Sequence, residues 1–157
     1  MLNILKRVLI VAALPILASC GNAEKKKDTA NAIDSNAKKE CYVAIDGADT
    51  AYLDLRVAEI KVDGDLLIKY ADKAHNKGTV SGKFSGDTLF VDYTFTVGEA
   101  KTPIYKNPLA FLKKDKQLIL GVGVIETAYG RSYFVKDKPI NFERGKFIFE
   151  LGNCKDN

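Results

Sequence analysis

The sequence predicts an all-β domain, a small antiparallel meander barrel of about eight strands that follows a signal and a tether. From residue 41 onward, apolar residues recur with a period of two, which indicates strands with one buried face. Turn-forming residues separate these apolar runs at intervals of roughly 8 to 20 residues, as is typical of short sequential strands. No long stretch keeps the apolar stripe of an amphipathic helix.

The clearest predicted strand covers residues 88–97, in which every odd-numbered residue is apolar. The even-numbered residues of this run are polar, with Phe90 as the exception. The same alternation predicts further strands over residues 53–57, 80–84 and 147–151. Each of these strands is expected to turn one face to a core and the other to water.

Turns are predicted where Gly, Asp, Asn, Ser and Lys cluster between the apolar runs. The predicted turns are Asp46-Gly47, Asp63-Gly64, Asn76-Lys77-Gly78, Ser85-Gly86-Asp87, Lys113-Lys114-Asp115-Lys116 and Tyr129-Gly130-Arg131. Because a meander of short strands has open edges, we expect it to close into a barrel.

Proline and glycine mark two irregular places in the second half of the domain. Pro103 and Pro108 fall within residues 102–112, where we expect an edge strand, a bulge or an irregular crossing. Gly121 and Gly123 share one face of residues 117–127. They predict a bent strand at a sheet corner or a close backbone approach, with contact to a ligand as the alternative.

The N-terminus has the parts of a secretion signal, because Lys6 and Arg7 supply positive charge and residues 8–17 form an apolar run. The run is shorter than the roughly 20 residues that a membrane-spanning helix needs, and it contains Pro15. We therefore predict a cleaved signal over residues 1–19.

The last residues of this signal and the next one, Leu17-Ala18-Ser19-Cys20, resemble the lipobox of bacterial lipoproteins. The resemblance implies cleavage between Ser19 and Cys20, and acylation of Cys20 that anchors the protein in a membrane. Gly21 stands where many Gram-negative lipoproteins of the inner membrane carry Asp, so we expect the outer membrane. The alternative is an ordinary signal in which Cys20 is incidental.

Residues 20–40 are predicted to be the lipidated Cys20 and a disordered tether, and residues 41–157 the folded domain. The tether contains one large apolar residue, Ile33, amid charges of both signs, so it buries too little apolar surface to fold. We expect a solvated spacer, with contact between its lysines and anionic head groups as the alternative.

Three cysteines occur in the chain. If Cys20 carries lipid, Cys41 and Cys154 remain, and they bracket the predicted domain in an oxidising compartment. We predict a disulfide between them, with two free thiols as the alternative. No metal site is predicted, because two isolated cysteines and the single His75 lack the paired spacing of zinc ligands.

The charge balance argues against nucleic acid as a partner. The chain has 24 basic residues, of which Lys6 and Arg7 leave with the signal, against 20 acidic ones. The mature protein therefore has a net charge of only about +2, whereas proteins that bind nucleic acid usually have a strongly basic face.

Residues 78–95 form a distinctive run, which is accompanied by Cys41-Tyr42, Asp49-Thr50 and Cys154. In these features the chain resembles a family of small uncharacterised bacterial lipoproteins, over most of residues 41–154. The resemblance implies a lipid anchor and a β-rich domain, and it brings no established activity.

A second resemblance is carried by Gly130-Arg131-Ser132-Tyr133. This segment is similar to the Ser-Gly-x-x-Tyr loop of the membrane-bound lysozyme inhibitors, which are also lipid-anchored, disulfide-bearing small barrels. The resemblance implies an inhibitor of a cell-wall hydrolase, and a simple hairpin turn is the alternative.

No catalytic constellation is predicted. A nucleophile needs a base within hydrogen-bond reach, and the single histidine, His75, lies in a polar loop. Asp87 and Asp92 fit a turn and the wet face of a strand rather than an acid–base pair. We predict a membrane-anchored binding or interaction module that is not an enzyme and uses no cofactor. Its expected partner, besides the membrane, is an envelope protein or a small apolar ligand, and the alternative is a proteinaceous inhibitor of lysozyme.

Overall fold

The computed structural model describes residues 36–154. These residues contain ten β-strands and no helix. In this part of the chain there is accordingly no helix with the length and apolar character to cross a bilayer. The predicted signal and Cys20 lie outside the described residues. The strands are β1 (Lys38–Asp46), β2 (Asp49–Ala58), β3 (Lys61–Lys69), β4 (Asn76–Ser85), β5 (Thr88–Val97), β6 (Tyr105–Lys114), β7 (Gln117–Leu120), β8 (Ile125–Ala128), β9 (Arg131–Phe134) and β10 (Ile148–Gly152).

Eight of the described strands close into an antiparallel barrel in the order β1-β10-β7-β6-β5-β4-β3-β2. This is the order of an up-and-down meander, into which the β8–β9 hairpin and the segment after it are inserted between β7 and β10. The predicted fold class, a small all-β meander barrel, is therefore confirmed. Closure pairs the first barrel strand with the last, which removes the open sheet edges.

The barrel interior is filled with packed side chains. The odd-numbered residues of β5 up to Phe95 point inward and are buried, as the alternation predicted. Tyr93 is also buried and donates a hydrogen bond to the carbonyl of Leu66, at 3.0 Å. The largest fully buried side chains are Phe111, Phe149, Leu53, Leu55, Leu66, Leu89, Leu118 and Val80. The core thus uses residues from every part of the meander.

Four of the six predicted turns are confirmed, and in three of them a glycine has a left-handed backbone. Gly47, Gly86 and Gly130 have φ values of +60°, +58° and +74°. Glycine adopts such positive φ values at little energetic cost because it has no Cβ. The fourth confirmed turn is at Asp115, between β6 and β7, where Asp115 has φ 54°. The predicted turn at Asp63-Gly64 is wrong, because both residues lie in β3, and so is the one at Asn76-Lys77-Gly78, which begins β4.

Gly64 and Gly78 allow neighbouring strands to approach closely. A Cβ at Gly64 would lie 2.0 Å from the carbonyl oxygen of Asp54, and one at Gly78 would lie 2.0 Å from that of Thr94. The actual turn between β2 and β3 is at Glu59 and Ile60. The error arose because glycine serves both tight turns and close backbone approach.

Pro108 lies in β6, which is a continuous strand with a neighbour on each side. The strand is not the predicted edge, bulge or irregular crossing, although the part of β6 around Pro108 is not paired with β7. Pairing of β6 with β7 begins at Phe111, so residues 105–110 are paired in the barrel with β5 alone. On the β7 side, the carbonyl of Ala110 accepts a hydrogen bond from Gly121, at 2.8 Å. Because backbone groups alternate along a strand, the N–H that Pro108 lacks would also face this open side.

Gly121 and Gly123 confirm the predicted close approach, although side chains rather than backbone come near. A Cβ at Gly121 would lie 2.4 Å from Ile140 and 2.7 Å from a ring carbon of Phe142, and one at Gly123 would lie 2.6 Å from Phe134. The two glycines therefore leave room for Phe134 at the end of β9 and for Ile140 and Phe142 in the segment after it.

Cys41 and Cys154 form the predicted disulfide. Their Cα atoms are 5.1 Å apart, within the usual range for such bridges. Cys41 pairs with Gly152 across the β1–β10 seam, so the bridge joins the two ends of the meander. β1 begins at Lys38, three residues before the predicted start of the domain, because Lys38 and the two residues after it extend the pairing with β2.

A charged cluster lies around the β1–β2 turn. The largely buried Asp49 accepts hydrogen bonds from the Ala71 N–H, at 2.9 Å, and from Lys146 Nζ, at 2.5 Å. Lys146 Nζ also lies 3.6 Å from Asp46. The hydrogen bond from Lys146 is the main cause that lowers the pKa of Asp49 below its ordinary value of 3.8, and the hydrogen bond from Ala71 is the second. The same bond between Lys146 and Asp49 raises the pKa of Lys146.

Replacing Asp49 by Asn is expected to lower the Tm at neutral pH and to change it little near pH 2. A carboxylate with a lowered pKa in the folded state adds stability above its unfolded pKa, and that contribution is lost as the pH falls through the folded value. Thermal unfolding followed by circular dichroism at both pH values measures this difference. Asp54→Asn, on the exposed outer wall, is the control. An equal loss of Tm for Asp49→Asn at both pH values would contradict the prediction.

Candidate functional site

A groove of about 590 Å³ runs along the outer wall of the barrel, between β3–β6 and the β8–β9 hairpin. This volume is within the range of about 300–1,000 Å³ that is usual for small-molecule sites. The groove is lined by Lys61, Ser81, Gly82, Lys83, Phe90, Val91, Asp92, Pro108, Leu109, Arg131 and Phe134. Apolar side chains thus form its floor, and cationic side chains lie around them.

The floor of the groove exists because Phe90 interrupts the polar outer face of β5. Phe90 points away from the core and is 39% exposed. Its direct cross-strand neighbours are Lys83 on β4 and Ala110 on β6. Pro108 is buried on the same outer wall of β6, and Phe134 at the end of β9 is half-buried. An outward phenylalanine is therefore joined by two apolar groups that come from other parts of the chain.

Asp92 connects the hairpin to the barrel wall. Its carboxylate oxygen Oδ2 lies 3.0 Å from Lys106 Nζ on β6 and 3.7 Å from Arg131 Nη2 on β9. The Oγ atoms of Thr127 and Ser132 lie 2.9 Å apart within the hairpin. Asp92 thus helps to hold the hairpin beside the groove, and its own charge is neutralised by two cations.

Two lysines at one end of the groove repel each other. Lys61 and Lys83 are directly opposite on β3 and β4, and both are exposed on the outer wall. Among the described residues neither forms an ion pair. Asp63 lies two residues further along the same face of β3, but it forms an ion pair with Arg56 and not with either lysine. Because like charges directly opposite destabilise a sheet, this pair is unfavourable in the absence of a counter-ion.

Four residues that the sequence analysis singled out line the groove, namely Phe90, Asp92, Pro108 and Arg131, and the others lie elsewhere. His75 lies in the loop before β4, with Nε2 3.8 Å from Glu99 Oε1. Asp87 is in the β4–β5 turn and Asp92 is on the outer face of β5, as expected. The Cys41–Cys154 bridge joins β1 to the residues that follow β10, away from β3–β6 in the strand order. Within residues 36–154, no group of three His, Cys, Asp or Glu side chains converges to hold a metal ion.

The sequence predictions missed the groove, although one signal was present. Phe90 was visible as the apolar residue on the polar face of its strand, and it marks the floor. The Lys61–Lys83 pair depends on the register of β3 against β4, and Arg131 reaches Asp92 through the fold of an inserted hairpin. Neither arrangement follows from local sequence patterns.

The tip of the β8–β9 hairpin is exposed to solvent. Tyr129 at the tip is fully exposed and has φ 52°, and Gly130 follows it. Tyr133 is also exposed, whereas Ser132 is half-buried beside Thr127. The segment that resembles the inhibitor loop therefore lies on a hairpin that is separate from the barrel sheet.

No protein-family model, no curated protein and no solved structure matches this chain. The resemblances to small lipoproteins and to lysozyme inhibitors accordingly stay predictions. The geometry of the groove and of the hairpin is what supports a function.

Proposed function

We propose that the chain is a lipid-anchored binding module of the bacterial envelope, without enzymatic activity, whose ligand occupies the outer-wall groove. The observation that carries this proposal is the groove itself, which combines an apolar floor with charged groups at its rim. Binding sites for small molecules have this composition, with few polar groups on a largely apolar surface. In this proposal the chain is cleaved before Cys20, acylated on Cys20 and held at the outer membrane.

The disulfide supports export of the domain. Structural disulfides persist in oxidising compartments and are rare in the cytosol. The bridge uses Cys41 and Cys154, so Cys20 is the one cysteine of the sequence that remains for another role. This agrees with the lipobox that residues 17–20 resemble.

The packed barrel interior supports a site on the outside. Small barrels either hold a ligand in the interior or fill that space with side chains. In this chain Phe111, Phe149 and Leu118 are fully buried in the interior, together with leucines of the neighbouring strands. A ligand is therefore expected against the outer wall, where Phe90 is only partly covered.

A tryptophan at the groove floor is expected to report binding. The chain has no native tryptophan, so Phe90→Trp introduces a single reporter there and Tyr52→Trp a control on the outer wall of β2. The variants are made from residues 21–157, which include the whole unit Ile33–Asn157. We expect saturable fluorescence shifts for Phe90→Trp alone when envelope glycans, amphiphiles and peptides are titrated. No shift with any compound, or equal shifts in both variants, would refute the proposal.

The exposed hairpin favours a second candidate, inhibition of a cell-wall hydrolase. A hydrolase inhibitor needs a segment that can enter a cleft, and the tip at Tyr129 and Gly130 is free of the barrel sheet. If the hairpin acts in this way, excess protein lowers lysozyme activity and Tyr129→Ala reverses the effect. Unchanged activity of several lysozyme types would exclude this candidate.

A further inference from the structure

We propose that the ligand of the groove is a medium-chain fatty acid anion. Its carboxylate would lie between Lys61 and Lys83, and its alkyl chain would cover Phe90, Pro108 and Phe134. This inference rests on the proposed function, because it names the ligand of the same groove. The strand register supports the anionic headgroup, and the exposed phenylalanine supports the alkyl chain.

The lysine pair points to an anionic group. Lys61 and Lys83 are direct cross-strand neighbours, where side chains of one charge repel each other. A carboxylate between the two ammonium groups replaces that repulsion by two attractive contacts. Lys83 is also the direct neighbour of Phe90 on β5, so a bound headgroup is adjacent to the apolar floor.

The apolar floor points to a hydrocarbon chain. Phe90 is exposed on an otherwise polar strand face, and Pro108 and Phe134 line the same groove. Burial of apolar surface is the general driving force for taking up such a chain. The groove thus offers one charged end and one apolar part, which matches an amphiphile rather than a sugar or a simple ion.

One feature of β6 disfavours a peptide as the ligand. A peptide that adds a strand would need backbone partners on the open side of β6, where Pro108 has no N–H. Because Arg131 pairs with Asp92, Lys61 and Lys83 are the cations of the groove lining that can receive an anionic headgroup. A fatty acid carboxylate supplies two oxygens, one for each lysine.

Calorimetric titration of residues 21–157 with decanoate tests the proposal. We expect saturable binding of one decanoate, whereas acetate and decyltrimethylammonium bind at least about tenfold more weakly because each lacks one required part. Lys61→Gln and Lys83→Gln are each expected to weaken decanoate binding about tenfold. Lys77→Gln is the matched control, since it lies on the same outer face of β4, about 20 Å from Lys83.

Several results would overturn the inference. These are equal binding of decanoate and decyltrimethylammonium, tighter binding of decyl phosphate than of decanoate, or equal weakening by Lys77→Gln and Lys83→Gln. If decanoate fails while another compound shifts the fluorescence of Phe90→Trp, the fatty-acid inference is wrong and the proposed function stands. If no compound shifts that fluorescence, both are wrong.

Discussion

The double variant Cys41→Ala, Cys154→Ala is expected to lose about 4 kcal/mol of its free energy of unfolding. The bridge joins residues separated by 113 positions, so it closes a loop that contains almost the whole domain. The chain-entropy estimate for a loop of about 100 residues is roughly 4.7 kcal/mol. Urea unfolding of the oxidised wild type and of the double variant measures this difference.

The bridge also strengthens the seam at which the barrel closes. β1 and β10 pair over Cys41, Tyr42 and Val43 only, whereas every residue of β1 pairs with β2. Reduced wild type should therefore lose as much stability as the double variant, because both release the end of β10. A loss below about 1 kcal/mol in either protein would show that the barrel closes independently of the bridge.

Sequence patterns predicted the parts of the fold that depend on neighbouring residues. The alternation over β5 follows from the two-residue period of any strand, and it gave the correct inward face from Leu89 to Phe95. The pairing of Cys41 with Cys154 followed from counting the cysteines of an exported chain. Both inferences use rules that do not depend on how the rest of the chain folds.

The incorrect predictions concern residues whose structural role depends on a strand that is distant in the sequence. Gly64 follows Asp63 just as Gly47 follows Asp46, yet only the second pair forms a turn. The difference is the Asp54 carbonyl, which lies where a Cβ of Gly64 would be. The groove has the same character, because Lys61 and Lys83 become neighbours only through the register of β3 and β4.

Phe111→Ala is expected to destabilise the protein by about 3–5 kcal/mol. Phe111 is fully buried and packs edge-to-face against Phe149, with ring centroids 5.6 Å apart. The alanine variant loses this contact and leaves a cavity between β6 and β10. Urea unfolding measures the loss, and Phe111→Leu should lose less because it refills part of the space.

Phe90→Ala separates the role of an aromatic residue in folding from its role in binding. Because Phe90 is partly exposed on the outer wall, its truncation removes less buried surface than that of Phe111, and we expect a loss below about 1.5 kcal/mol. The same variant should abolish binding in the groove, whereas Phe111→Leu should keep it. Equal destabilisation by Phe90→Ala and Phe111→Ala would mean that the outer phenylalanine serves the fold, and it would remove the main reason to regard the groove as a site.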